Sequence, residues 1–146
     1  MKLDSFEQHP DFVSLSLSSG EQLSTRLLVS AEGAQAVIPQ QLHLPVQQHD
    51  FSQSAIITTL NVDQPVNARA WERFTAEGPL ALLPLGENSY SVVWCQQPAE
   101  AVEAMQLSDA VFTSQLQQAF GYRAGRFLNI GERAVYPLSL RYLPQM

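Results

Sequence analysis

The sequence predicts an α+β fold in which a mostly antiparallel sheet carries two or three helices on one face. Short apolar runs follow one another through the middle of the chain, and turn residues separate them: Asp63-Gln64-Pro65, Glu77-Gly78-Pro79 and Gly86-Glu87-Asn88. Such short links favour antiparallel neighbours over helical crossovers. Two segments of helix-forming residues follow, and a chain of 146 residues fits a single hydrophobic core.

The first third of the chain predicts a β-hairpin and a short helix. Apolar residues alternate with serine at 12–17, and a Ser-Ser-Gly-Glu turn leads into an apolar run that ends at residue 31, so the hairpin spans 12–31. Residues 34–42 favour a turn or two of helix, and the polar stretch 45–53 is a predicted loop. Further strands are predicted at 54–62, 69–75, 79–85 and 90–96.

Two helices and a last strand complete the prediction. Pro98 at a first turn begins a helix over 98–106, and Ser108 caps a second helix over 108–120 that Gly121 ends. The second helix has an apolar stripe, which should lie on the sheet. The stripe consists of Phe112, Leu116 and Phe120. The last strand is predicted at about 126–138, with a β-bulge at Gly131.

Composition and motifs exclude several function classes. The net charge is −6 and the basic residues form no cluster, which argues against nucleic acid as a partner. A single cysteine, Cys95, and the lack of a signal-peptide pattern predict a cytoplasmic location. The sequence contains no GxGxxG, P-loop or GxSxG motif. His9, His43 and His49 match no zinc-ligand spacing, so no metal site is predicted.

Two aromatic strands leave alternatives open. Strand alternation places Trp71 and Arg73 on one face, where Arg73 fits either a cross-strand ion pair or a functional site. Tyr90 and Trp94 share a face of another strand, and they fit either the core or the wall of an apolar pocket. Alternation alone does not separate these interpretations.

Four blocks of sequence together resemble a known enzyme family. They are WERFTAEGPLALLPL at 71–85, YSVVWC at 90–95, AFGYRAG at 119–125 and AVYPL at 134–138. From about Phe12 onward the chain resembles the flavin-dependent hydroxylases of ubiquinone biosynthesis, most closely the 2-octaprenyl-6-methoxyphenol hydroxylases. The resemblance implies that the sheet is the substrate-binding part of a fold like that of para-hydroxybenzoate hydroxylase.

The same resemblance implies a domain division. In the family, FAD is bound by an amino-terminal GxGxxG unit, a carboxy-terminal Gly-Asp motif and an Asp-Gly motif between them. Only the last has a counterpart here, LLVSAEGA at 27–34, with Glu32 at the usual Asp position and Gly33 retained. The resemblance therefore implies that 1–33 is a remnant of the FAD-binding domain, that 34–146 is the substrate-binding domain, and that the chain is a middle fragment. Glu32 and Gly33 are expected at the edge of the cofactor.

The implied parent enzyme is a monooxygenase that uses FAD, takes electrons from NAD(P)H and hydroxylates the ring of a polyprenyl phenol. The fragment alone is expected to bind FAD at best weakly and to be inactive. Expected near the substrate or flavin are Phe74, Leu82, Pro84, Val93, Tyr136 and Pro137. No catalytic residue is assigned. We expect the fragment to form a homodimer through its hairpin or through the apolar surface that faces the flavin in the parent, and association with a membrane surface or a ubiquinone-biosynthesis complex stays open.

A second hypothesis is that the chain is a non-catalytic module that binds apolar ligands or supports assembly, and a third is a purely structural β-domain. Flavin absorbance of the purified protein would separate the first two hypotheses. A shift of melting temperature with quinones or phenols would argue against the third.

Overall fold

The computed structural model describes residues 2–33, 36 and 38–144. The chain divides into two compact units, Met1–Val46 with Leu143–Met146, and Gln47–Tyr142. The predicted division into an FAD-domain remnant and a substrate domain falls at residues 33/34. It rests on the family resemblance and not on these compact units, and it stays a prediction.

The smaller unit is a three-stranded antiparallel sheet followed by a short helix. Its elements are β1 (Leu3–Gln8), β2 (Val13–Leu17), β3 (Gln22–Thr25) and α1 (Ile38–Gln41), with strand order β1-β2-β3. The predicted hairpin is present as β2 and β3, but its second strand ends at Thr25, so the prediction of a strand through residue 31 was wrong. The Thr25 hydroxyl donates to the carbonyl of Leu27 at 3.0 Å, a local turn that competes with strand pairing.

The larger unit contains a six-stranded sheet whose strand pairs are all antiparallel. The strands are β4 (Gln47–Val62), β5 (Trp71–Phe74), β6 (Pro79–Gly86), β7 (Ser89–Gln96), β8 (Phe127–Ile130) and β9 (Ala134–Tyr142). The order is β5-β6-β7-β4-β8, and β9 also pairs with β4. The antiparallel pairing predicted for consecutive strands is therefore confirmed for β5, β6 and β7, whereas β4 pairs with β7 and not with β5.

Two expectations for the larger unit were wrong. The predicted loop at 45–53 is largely strand, because β4 begins at Gln47, where it pairs with Tyr142 of β9. An irregularity between Asp50 and Ser54 shifts the register there, so the sequence shows no clean alternation. The single last strand is two strands separated at Gly131, whose N–H donates to the carbonyl of Thr59 at 3.0 Å. A Cβ at this glycine would collide with the Thr59 hydroxyl.

The helices α2 (Pro98–Gln106) and α3 (Asp109–Phe120) pack on one face of the larger sheet, as predicted. Ser108 caps α3 by accepting from the Val111 N–H at 3.4 Å. The Phe112 ring meets Trp94 edge to face, with 5.6 Å between the ring centres. The largest fully buried side chains in this core are Tyr90, Phe112, Ile56, Leu60, Leu80, Leu82, Leu116 and Val92.

Candidate functional site

The larger sheet has a second face, opposite α2 and α3, which we call the open face. Its middle row consists of side chains that are successive cross-strand partners on β5, β6, β7, β4 and β9. The row is Glu72, Ala81, Val93, Ile57 and Ala134. Because directly opposed residues of an antiparallel pair point to the same side, all five project from this face. Four of the five side chains are apolar, and three of them are Ala or Val.

Two aromatic side chains stand at the ends of the neighbouring row of the open face, which runs through Cys95 and Ala55. Phe74, on the edge strand β5, pairs with Pro79 and is 80% exposed. Tyr136, on β9, pairs with Ala55 and is 57% exposed. Four inter-strand steps of about 4.8 Å separate β5 from β9, so the two aromatics stand roughly 19 Å apart across the strands. The open face is therefore a low apolar floor between two aromatic walls.

The sole cysteine lies next to this floor. Cys95 pairs with Ala55 on β4 and is buried. Burial raises the pKa of the Cys95 thiol above its ordinary value, and the negative charge of Glu72 adds to the rise. The thiol is therefore protonated at neutral pH and contributes a small apolar surface rather than a nucleophile.

A tight turn closes the floor beside Cys95. Thr75 uses both its backbone N–H and its hydroxyl to donate to the Gly78 carbonyl, at 3.0 and 2.8 Å. Gln53 donates its side-chain N–H to the Glu77 carbonyl at 2.8 Å, which connects the irregular part of β4 to the same turn. A Cβ on Gly78 would lie 3.0 Å from both the Cys95 Cβ and the Gln53 amide nitrogen. Glycine is thus required here for close approach as well as for its φ of +152°.

The structure separates the six predicted substrate residues. Phe74, Val93 and Tyr136 lie on the open face, by the pairings given above. Leu82, Pro84 and Pro137 lie on the helix-bearing face, because they pair with Val92, Tyr90 and Ser54, respectively.

The six residues therefore do not share one face of the sheet, and their expected place near the substrate or flavin stays a prediction. Side chains alternate along a strand, so Val93 and its neighbour Val92 face opposite ways. Leu82, which pairs with Val92, is fully buried in the core, so its side chain is not accessible from the open face. The roles of Phe74, Val93 and Tyr136 stay predictions.

The two alternatives left open by the sequence are resolved by contacts. Tyr90 and Trp94 belong to the core beneath the helices. Arg73 donates from Nη1 to the Phe120 carbonyl at 2.6 Å, which fixes the edge strand to the end of α3. In the described part of the chain no carboxylate lies within 4.0 Å of Arg73, so the expected cross-strand ion pair is absent there.

The predicted cofactor residues lie in the smaller unit. The Glu32 carboxylate accepts from the Ser30 hydroxyl at 3.1 Å. Gly33 has a φ of +74°, and an added Cβ would meet open space. The Gly33 carbonyl accepts from the Ala36 N–H at 3.2 Å, which forms the tight turn expected after the strand-like segment. Residues 34, 35 and 37 lie outside the described residues.

Sequence reasoning missed three members of the floor, Ile57, Ala81 and Ala134. Each is unremarkable within its own strand, and only the register with Val93 brings them together. Small residues at matching positions of neighbouring strands are a possible signal for such a floor. That signal can be recognised only when the strand pairing is already known.

Comparison with known proteins extends the resemblance noted in the sequence. The chain is 32% identical over 110 residues to the mitochondrial ubiquinone biosynthesis monooxygenase of Danio rerio, which covers 75% of this chain and 23% of that protein. It is 27% identical over 143 residues to the 3-demethoxyubiquinol 3-hydroxylase of Escherichia coli, covering 98% of this chain and 36% of that enzyme. Over the part that it spans, the chain belongs to the family of ubiquinone-biosynthesis FAD hydroxylases. No family model matches the chain.

Solved structures agree on the fold. The chain superposes on aklavinone-11 hydroxylase, whose structure holds FAD and aklavinone, with a TM-score of 0.69 and 14% identity, covering 99% of this chain and 29% of that one. At this identity the likeness shows the α+β fold of flavin-dependent monooxygenases. The chain thus spans only about a quarter to a third of the length of these proteins. Among the residues described, no helix has the length and apolar character needed to cross a membrane.

Proposed function

We propose that this chain provides the substrate-facing sheet of an FAD- and NAD(P)H-dependent monooxygenase that hydroxylates the aromatic ring of a polyprenyl phenol in ubiquinone biosynthesis. The open face carries the proposal, because a floor of small apolar side chains between Phe74 and Tyr136 suits a flat, apolar ring. Support comes from relatives named as ubiquinone monooxygenases and hydroxylases.

The described residues fit FAD at one point. An added Cβ at Gly33 would meet open space, so the backbone there is accessible to a cofactor edge. The sequence has no glycine-rich turn of the kind that binds a pyrophosphate, so we assign no residue to that part of the cofactor. For this reason the chain alone should bind FAD weakly and should not hydroxylate.

When bound, FAD supplies the oxygen-activating chemistry, with electrons from NAD(P)H. The protein's own contribution is to orient the substrate and to exclude water. Val93 and Ile57, at the centre of the floor, would contact the flat side of the phenol ring. Phe74 and Tyr136 would border the surface on which the ring and its isoprenoid tail lie, and the Tyr136 hydroxyl can form a hydrogen bond to a ring oxygen.

Methyl-detected NMR of the purified chain tests the proposal, with 2-geranylphenol as the probe. Titration should shift the methyl resonances of Ala81, Val93 and Ala134 on the open face. The methyls of Ile56 and Val92 should stay in place, because both side chains are buried on the opposite face. Shifts confined to Ile56 and Val92, or no shifts at all, would contradict the proposal.

A matched pair of variants separates the floor from a nonspecific apolar surface. Val93→Asp places a charge at the centre of the floor and should weaken binding of the phenol by about tenfold or more, since the charge loses hydration when the ring covers it. Val102→Asp makes the same change on α2, where the side chain is 59% exposed, and should leave binding unchanged. Equal weakening in both variants would argue against the open face as the binding surface.

A further inference from the structure

Three of the seven arginines line two clefts that share one aromatic side chain, Trp71, at the edge of the larger sheet. The guanidinium of Arg69 lies 5.2 Å from the centre of the Trp71 ring. Trp71, Arg73 and Arg123 line a cleft of about 330 Å³ next to the end of α3. Trp71, Arg69 and Arg123 line an adjoining cleft of about 130 Å³.

The charge in these clefts is largely uncompensated. Glu72 is the one acidic residue among those lining the two clefts, against three arginines. Ion pairs in the described part of the chain join His9 to Glu7 and Arg133 to Asp109, so none of the three arginines has a carboxylate partner there. The chain as a whole carries a net charge of −6, which makes this concentration of positive charge a local feature.

The arginines differ in how firmly they are held. Arg73 is fixed by its bond to the Phe120 carbonyl at 2.6 Å. Trp71 is also fixed, because its ring N–H donates to the Tyr90 hydroxyl at 3.1 Å and its ring packs edge to face on Phe120. Arg69 is held over a positioned ring. These contacts preorganise part of the site, and the exposed Arg123 can close on a ligand from the loop after α3.

We propose that this arginine cleft binds a phosphate-bearing ligand, a phosphate ester or diphosphate whose apolar part rests against Trp71 and Phe120. Guanidinium groups bind phosphate oxygens in pairs of parallel hydrogen bonds, and a tetrahedral anion accepts them from several directions. A carboxylate is planar and engages one such fork well, so two arginines in each cleft, with Arg123 common to both, favour phosphate. The cleft volume also exceeds what a bare phosphate group fills.

Fluorescence titration tests the site. Trp71 lines the cleft, whereas the second tryptophan, Trp94, is buried in the core and supplies a constant background. Inorganic pyrophosphate is the soluble probe, and vesicles of phosphatidylcholine with or without an equal amount of phosphatidylglycerol are the lipid probe. We expect one of the two probes to change Trp71 emission. A response to pyrophosphate identifies a soluble phosphate as the ligand, and a response to the phosphatidylglycerol vesicles identifies a lipid headgroup.

Matched arginine variants make the test specific. Arg123→Gln removes the charge without breaking a hydrogen bond or ion pair that the structure shows. It should weaken ligand binding about tenfold or more, as expected for the loss of one charged hydrogen bond. Arg26→Gln removes the same charge from the smaller unit and should leave binding unchanged. Equal binding by Arg123→Gln and the unaltered protein, or no response of Trp71 to either probe, would overturn the proposal. The result does not depend on phenol binding at the open face.

Discussion

The guanidinium of Arg133 lies 4.9 Å from the centre of the Phe112 ring. The same group donates to the carbonyls of Ala104 at 3.0 Å and Leu107 at 2.7 Å, which end α2. It also pairs with the Asp109 carboxylate at 3.1 Å, in the first turn of α3. One side chain from the segment before β9 thus connects both helices to the sheet.

Replacing Arg133 with methionine should lower the free energy of unfolding by about 2–4 kcal/mol, because two helix-terminal carbonyls lose a charged donor in a largely buried place. The Arg133 side chain is 13% exposed. Urea unfolding followed by circular dichroism measures the loss. Asp109→Asn is the matched control, and it should cost less than about 1 kcal/mol, because the Asp109 side chain is 74% exposed. Equal losses would show that the ion pair, and not the carbonyl bonds, stabilises this corner.

Gly78→Ala should destabilise the larger unit by about 1–3 kcal/mol, because the new Cβ meets Cys95 and Gln53 and the backbone keeps a φ of +152°. Thermal unfolding measures the effect. Gly86→Ala is the control in the same unit, where the added Cβ would meet only the Ser89 hydroxyl, which can rotate away. A loss at Gly86 as large as that at Gly78 would contradict the close approach of the turn to Cys95.

The Cys95 thiol should react slowly with a thiol-reactive disulfide reagent at neutral pH. Its raised pKa keeps the neutral form dominant to higher pH than in the unfolded chain, so the labelling rate should keep rising at pH values where that of the unfolded protein has levelled off. Because Glu72 contributes to the shift, Glu72→Gln should move the curve to lower pH, whereas Glu87→Gln should not move it. Coincident curves for the folded and the guanidinium-unfolded protein would contradict this prediction.

The smaller unit should self-associate through the segment after β3. Leu27 and Val29 are 74% and 72% exposed, and β3 is an edge strand of its sheet. A second copy can cover these apolar side chains and pair with the free edge. Light scattering at rising concentration should show a dimer, and Leu27→Asp with Val29→Asp should return the mass to that of a monomer. Leu85→Asp, at a side chain 61% exposed in the larger unit, is the control. A monomeric mass at high micromolar concentration would refute the prediction.

The sequence by itself determined the fold class and the local features that depend on near neighbours. Ser108 and Gly121 bound α3 because capping needs only the adjacent backbone. The stripe of Phe112, Leu116 and Phe120 is buried, since helical periodicity alone places these side chains on one side. Alternation likewise separated Trp71 and Arg73 from Glu72 and Phe74.

Only the tertiary structure decided which face of each strand is the open one. Alternation shows that Val92 and Val93 point opposite ways, but the choice between them depends on where α2 and α3 pack. The prediction therefore grouped Leu82 with Val93, although Leu82 lies under the helices and Val93 on the floor. The strand at 47–53 was missed for a similar reason, because its partner, β9, follows about ninety residues later and the bulge hides its period. Contacts between distant segments fix register and face, and no local pattern encodes them.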